Sequence, residues 1–318
     1  EVMNMGSAEH IKVQQLEQGR LTDPGNFPKV VLIDTISFCD LKCSMCSHKD
    51  MSRKRGKMAM ELFKKIIDEI ADTDRNTRVW MVFFGEALIL KKTTLFPMIR
   101  YAKEKGLTDV VLNSNANLLD EDTAKGLIKS GLDAIYVGID AFTEETYAKV
   151  RVGGDYHKVV RNVKNLIRLK REMGAEKPLV YVQFVEMEVN KAETDNFIEF
   201  WKKDGAIAKI RPMVSWAGLV HASNLTIPKE NRWPCYWAMQ TMSIADDGRV
   251  VMCAVDVDAR FVAGDINQES IKSVWNGKLK DIREIHHKGE FNKLPFPCKD
   301  CKDWQSARAE YYNAEECK

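Results

Sequence analysis

Between residues 29 and 225 the chain alternates two hydrophobic rhythms. Apolar runs of strand length occupy 29–36, 78–84, 109–112, 134–139, 179–187 and 206–213. Between them lie stretches with apolar residues at helical spacing. The clearest is 58–70, with Leu62, Phe63, Ile66, Ile67 and Ile70; others are 95–105, 121–129, 157–173 and 193–203. Six strands alternating with helices predict parallel βαβ units with right-handed crossovers. The fold class is therefore α/β, either an open doubly wound sheet or a partial (β/α)6 TIM-like barrel. In both, chemistry belongs at the C-terminal ends of the strands.

From about residue 231 the rhythm changes. Residues 241–253 alternate like a hairpin, with Asp247-Gly248 as a favoured tight-turn pair, and 270–276 and 278–288 read as short helices. This predicts three parts: an N-terminal extension over 1–28, a barrel over 29–225 and a small α+β domain over 231–318. The last has few core residues of its own, so a metal site would supply stability that its core cannot. The chain opens Glu1-Val2-Met3, and residues 1–20 are left out of the functional reading.

Composition narrows the class. The 318 residues are 45% hydrophobic and 30% charged, enough to bury a core. Lys+Arg is 48 against Asp+Glu 46, a net +2, which gives no support for an electrostatic grip on nucleic acid or an anionic membrane. No apolar run approaches the roughly 20 residues of a membrane span, and no signal-peptide core stands out. A cytoplasmic protein with reduced thiols is expected.

The eight cysteines carry the chemistry: 39, 43, 46, 235, 253, 298, 301 and 317. Cys39, Cys43 and Cys46 form C-x3-C-x2-C just past the first strand. Three thiolates can reach three corners of a four-iron cube from one loop and leave the fourth iron open. A zinc site with His48 as fourth ligand is the alternative. Cys235, Cys253, Cys298 and Cys301 could hold a complete four-iron cluster, or a zinc ribbon.

The trio and the segments that follow it resemble the radical S-adenosylmethionine (SAM) superfamily. Phe84-Gly85-Glu86-Ala87-Leu88 looks like that family's G-G-E-P-L element, Asn113-Ser114-Asn115-Ala116 its T-N-G segment, and Val137-Gly138-Ile139-Asp140-Ala141 its V-S-L-D-G segment. Residues 146–154, with Tyr147, Arg151, Gly153 and Gly154, resemble its Y-x-x-I-R-x-G-G stretch. Phe84, Ala87 and Gly138 depart from the pattern, standing for glycine, proline and serine. The resemblance implies a SAM-binding [4Fe–4S] cluster on the trio, and Met45, Gly85, Glu86, Ser114, Asn115, Asp140 and Arg151 on the SAM side. There the glutamate receives the SAM amino group and the arginine its carboxylate. Pro234-Cys235-Tyr236-Trp237, Asp246-Asp247-Gly248, Gly264-Asp265-Ile266 and Cys298-Lys299-Asp300-Cys301 resemble the auxiliary-cluster domain called SPASM, in its shortened twitch form. Ala307 and Tyr311 stand where a full domain has further cysteines, so one auxiliary [4Fe–4S] cluster is expected.

Such a pair of clusters implies a radical SAM oxidoreductase. SAM is cleaved to a 5′-deoxyadenosyl radical that abstracts hydrogen from a small polar substrate, sugar-like or aminocyclitol-like, and the auxiliary cluster accepts an electron. A flavodoxin- or ferredoxin-type reductant is expected. The alternatives are an epimerase with Cys317 as hydrogen donor, a ribosomal-peptide modifying enzyme, and, outside catalysis, an iron–sulfur electron carrier. Arg211, Trp216 and His221 follow the sixth strand as candidate substrate contacts, with domain packing the competing reading for Trp216. Glu186 and Glu188 share one strand parity, so both face the lumen as proton acceptors or both face helices. The basic run Lys49, Arg53, Lys54, Arg55 and Lys57 reads as a solvated loop, and His286 and His287 as inert residues of a surface helix.

Overall fold

A computed structural model describes residues 25–306 and 309–313. Six parallel strands, β1 (Val30–Ile33), β2 (Arg78–Trp80), β3 (Val110–Ser114), β4 (Ala134–Gly138), β5 (Leu179–Glu186) and β6 (Ile207–Pro212), lie side by side in chain order. Helices return the chain between them: α1 (Met60–Thr73), α2 (Leu95–Glu104), α3 (Glu121–Ser130), α4 (Glu144–Val150) with α5 (Tyr156–Glu172), and α6 (Thr194–Asp204). This is the expected partial barrel. On α1, Phe63, Ile66, Ile67 and Ile70 make one buried stripe at 3.6-residue spacing. α3 begins where the Asp120 carboxylate accepts the Thr123 N–H at 2.8 Å, and stops at Gly131 in the left-handed region at φ 82°.

The chain beyond the barrel adds α7 (Tyr236–Gln240), β7 (Thr241–Ile244), β8 (Arg249–Val251), β9 (Val262–Asp265), α8 (Ile271–Asn276), α9 (Lys278–His287) and β10 (Glu310–Tyr312). The hairpin forms as expected, its turn made by Gly248 at φ 95°. Its sheet is not separate. β7 pairs in parallel with β1, and β10 pairs antiparallel with β6, giving one ten-stranded sheet ordered β10-β6-β5-β4-β3-β2-β1-β7-β8-β9. β9 and β10 escape sequence reading because neither sits in an apolar run: β9 ends in Gly264-Asp265 and β10 is Glu310-Tyr311-Tyr312.

Aromatic rings from β2, β4 and β5 stack against one another across these strands. Tyr136 stacks between Trp80 and Tyr181, with centroids 5.0 and 4.4 Å away, and Lys209 Nζ lies 4.9 Å from the Tyr136 centroid. The cysteine trio sits past the C-terminal ends of the strands, beside Ser114 and Gly138. No helix among the described residues is long and apolar enough to cross a membrane.

Lys49, Lys54 and Lys57 are exposed, as a solvated loop requires, but Arg53 is not. Its side chain is 4% exposed and lies between Asp34, after β1, and Asp246, in the β7–β8 turn. Arg53 Nη2 is 2.7 Å from Asp34 Oδ2, Nη1 pairs with Asp246 Oδ1, and Nε donates to Val257 O at 2.8 Å. One guanidinium thus joins the barrel to the hairpin. Burial, with the Asp246 charge adding to it, outweighs Arg53 and pushes Asp34 up to about 7.

Arg53→Ala leaves two buried carboxylates without their cation and should cost roughly 3–5 kcal/mol in urea unfolding. A raised folded-state value means that neutral Asp34 is favoured on folding. The stability of the native protein relative to Asp34→Asn should therefore be greatest below about pH 4 and decline as pH rises toward 7, measured as the difference between two pH–stability curves.

Candidate active site

The trio lies on a loop whose shape is imposed by its neighbours. The N–H of Glu86 donates to Phe38 O at 2.8 Å, that of Lys42 to Val152 O at 2.9 Å, and that of Ser44 to Val150 O at 3.0 Å. At Gly85 a Cβ would sit 2.1 Å from Ile36 O, so only glycine lets the β2 loop cross the cysteine loop. Phe84, in place of another glycine, is buried against Met51 and Val257 with Arg53 over its ring at 5.3 Å. It fills the seam between barrel and hairpin segment. His48 donates Nε2–H to Ser37 O at 2.8 Å, so it braces the loop and does not join the thiols.

Glu86 is buried with both oxygens occupied. Oε1 accepts from Leu88 N and Ser114 Oγ at 3.0 Å each, and Oε2 from Asn115 N at 2.7 Å. Burial nonetheless pushes it up to about 7. Asn115 in turn donates Nδ2–H to Asp40 Oδ1 at 2.8 Å, tying the β3 end to the cysteine loop. Asp140 is fully buried at φ 58°; Oδ1 accepts from Val185 N at 2.7 Å and Oδ2 from Arg151 Nε at 2.6 Å. Arg151 Nη1 then reaches Cys43 Sγ at 3.7 Å. The guanidinium lies against Gly138, where a Cβ would be 2.0 Å from Nη2. That close approach explains why glycine replaces serine there.

These groups enclose a cavity of about 160 Å³ lined by Cys39, Cys43, Met45, Cys46, Glu86 and Arg151, with Gly85, Ser114 and Asn115 also in its wall. Burial pushes the thiols up, Cys39 to about 12 and Cys46 to about 11, so without a bound cation they are neutral near pH 7. The cavity shares Phe83, Asn113, Gln183, Arg211 and Trp216 with a second one, the lumen cavity, of about 220 Å³, which runs past Trp80 of the ring stack to Val30, Arg78 and Thr241 at the strand starts. Arg211 and Trp216, at and after the end of β6, line both cavities. Glu186 does not: it is exposed at the end of β5, as is Glu188, because Gln183 and Val185 take the inward parity. His221 is exposed and outside both linings. Sequence reasoning missed Phe83, Gln183 and Trp237; the only signal was a lone polar Gln183 inside an apolar strand.

The other four cysteines come together. Cys235, Cys253, Cys298 and Cys301 line one cavity with Trp237, Val255, Ala217 and Asp303. Trp237 and Val255 belong to the lumen cavity as well. Burial pushes these thiols up, Cys298 to about 11, and the charge of Cys235 adds to the shifts of the other three. A single loop spans the two thiol sets. Ser215 N and Ala217 N donate to the Asp303 carboxylate at 2.5 and 2.8 Å, two residues from Cys301, and Trp216 Nε1 donates to Met45 O at 2.8 Å, beside Cys46. Trp216 and Ala217 both adopt φ 54°, strain held by those bonds. Among the described residues, no three His, Cys, Asp or Glu side chains close on one point as ligands of a single ion would. Each thiol set lines the wall of a cavity, about 160 Å³ for the trio and about 20 Å³ for the four, and thiolates are the donors that iron–sulfur clusters take. Cys317 lies outside the described residues.

Residues 33–175 match the radical SAM superfamily model, and residues 235–302 match that of the SPASM iron–sulfur cluster-binding domain. The tungsten-containing aldehyde ferredoxin oxidoreductase cofactor-modifying protein of Pyrococcus furiosus is 26% identical over 51% of this chain and 45% of its own length. The chain thus spans about half the length of curated relatives of this kind. The SAM-dependent 2-deoxy-scyllo-inosamine dehydrogenase of Niallia circulans is 22% identical over 89% of this chain and 96% of its own. Among solved structures, Streptococcus suis SuiB bound to precursor peptide SuiA superposes with a TM-score of 0.66 at 13% identity, covering 88% of this chain and 73% of that one; this is a likeness of fold. The two matched families imply SAM, a SAM-binding [4Fe–4S] cluster and auxiliary [4Fe–4S] ligation as cofactors. The chain belongs to the radical SAM superfamily and carries a SPASM-type iron–sulfur domain.

Proposed function

We propose that the chain is a radical SAM dehydrogenase that oxidises a C–H of a small polar substrate by two electrons. The observation that carries this reading is the lumen cavity, which borders the trio's cavity through Phe83, Arg211 and Trp216 and the four-thiol cavity through Trp237 and Val255. Cys39, Cys43 and Cys46 would hold the SAM-binding cluster. Cys235, Cys253, Cys298 and Cys301 would hold the auxiliary one. When bound, these groups and SAM supply a 5′-deoxyadenosyl radical that takes one hydrogen atom, and an acceptor for the electron left on the substrate once a proton departs.

The chain's own residues hold the geometry for this. Arg151 is fixed by Asp140, so its charge stands beside Cys43 without being mobile. Glu86 presents a buried carboxylate at the strand ends, pinned by two N–H groups and a hydroxyl. Asn113 and Gln183, 3.4 Å apart, offer the lumen hydrogen-bonding groups among aromatic walls. Trp216, Trp237 and Phe83 supply the aromatic walls of the lumen cavity. Four thiolates would complete the ligation of an auxiliary cluster and suit it to electron transfer. The Niallia circulans relative, named as a dehydrogenase and matched along nearly its whole length, supports the same reaction type. An external flavodoxin- or ferredoxin-type protein would supply the reducing electron.

Anaerobically reconstituted, reduced protein given SAM should release 5′-deoxyadenosine and methionine, read by chromatography; the absence of both would overturn the proposal. Cys301→Ala should keep SAM cleavage within about twofold while lowering oxidised product roughly tenfold or more across a panel of polyols and aminocyclitols. Equal product from this variant and the native protein would remove the auxiliary site from the reaction.

A further inference from the structure

Helix α9 turns Leu279, Ile282, Arg283 and His286 inward, and His286 is fully buried. The surface-helix reading holds for His287, which is exposed, but not for His286. The two ring nitrogens of His286 have different neighbours. Nδ1 lies 3.3 Å from the backbone N–H of Cys235, which can only donate, so Nδ1 is the acceptor. A neutral imidazole with a bare Nδ1 carries its hydrogen on Nε2. Nε2 lies 3.5 Å from Cys298 Sγ. The main chain at one thiol therefore fixes the tautomer that aims an N–H at another. Phe291 packs on the ring at a centroid distance of 5.7 Å and helps hold it in place.

Arg232 brings a second donor to the same sulfur. Its Nη2 is 3.6 Å from Cys298 Sγ, while Nη1 donates to the carbonyls of Cys298 and Lys299 at 3.2 and 3.3 Å. At Cys301 the sulfur accepts the backbone N–H of Asp303 at 3.3 Å. Main-chain N–H groups also meet Cys235, from Trp237 and Ala238, and Cys253, from Val255. Cys298 is instead met by two side chains, His286 and Arg232.

Resting on the reading of Cys298 as a ligand of the auxiliary cluster, we propose that His286 is a positioning residue whose Nε2–H···S hydrogen bond to Cys298, together with Arg232, raises the reduction potential of that cluster and fits it to accept the substrate's electron. Reduction adds negative charge to the iron–sulfur core and its thiolate sulfurs. A fixed N–H dipole stabilises that added charge more than it stabilises the oxidised form. His286 stays neutral throughout and transfers no proton.

The test uses the holoenzyme with both clusters, titrated with a reductant and followed by electron paramagnetic resonance. His286→Leu removes the donor and should move the one-electron reduction equilibrium of the auxiliary cluster about tenfold toward the oxidised form, a fall of about 59 mV. His286→Gln, which can place an amide N–H near the old Nε2 position, should remain within about threefold of the native equilibrium. Protein carrying ¹⁵N-histidine should show a weak hyperfine coupling from the reduced auxiliary cluster to one histidine nitrogen, lost in His286→Gln. This measurement decides the matter even if His286→Leu does not fold. An unchanged midpoint in a fully iron-loaded His286→Leu overturns the proposal, as does absence of the histidine coupling or a coupling as strong as that of an iron-bound nitrogen. Eight irons per chain with an unchanged midpoint defeats this inference alone. Four irons per chain, unaltered by Cys298→Ala, defeats the reading beneath it and this inference with it.

Discussion

A loop bearing three thiols has no conformation of its own, so the site depends on what grips its backbone. Here the grip is a set of main-chain hydrogen bonds from two neighbours, the β2 loop at Glu86 and the α4–α5 link at Val150 and Val152. Side chains of those same segments are the candidate SAM contacts. The bond that shapes the cysteine loop therefore also sets Glu86 and Arg151 around it. Gly85 is the pivot, since any Cβ would collide with the Ile36 carbonyl and push the two loops apart.

Buried charge is the second constraint. Glu86, Asp140, Arg151, Asp34 and Arg53 all lie at or beside the strand ends, where leaving any of them unpartnered would cost several kcal/mol. Each is held instead. Asp140 is spent on Arg151 and Val185, and this leaves Arg151 a single orientation, toward Cys43. Glu86 is spent on the β3 end. The charges of the site are thus committed to one another, which sets one arrangement of side chains around the cysteine loop.

The relation between the two thiol sets follows from the sheet. β7 extends the barrel at β1 and β10 extends it at β6, so the C-terminal segment grows from both edges of the barrel sheet. Arg53 ties the first edge, and Asp303, gripping Ser215 and Ala217, ties the loop after β6 to the C-x2-C turn. Trp216 is thereby held against Met45 on one side while its neighbour Ala217 lines the other cavity. Packing between segments and contact with the lumen are one and the same role for this tryptophan.

The sequence by itself determined the six barrel strands and most of their helices, because long amphipathic helices and apolar strands leave a period that local chemistry reads directly. It also determined both cysteine sets and the glycine at 85, since ligand spacing and a missing Cβ are written residue by residue. Tertiary structure alone decided the rest. The parity of β5 is settled by which side faces the helices, and it turned Glu186 outward and Gln183 inward. The short strands β9 and β10 exist only because a partner edge is waiting for them. Arg53 and His286 looked like members of a solvated run and a surface helix. Their burial depends on elements about 200 and 50 residues away, Asp246 for one and Cys235 for the other. Local pattern encodes which residues can make a contact, but which contacts form is settled by chain segments that meet only when the sheet closes.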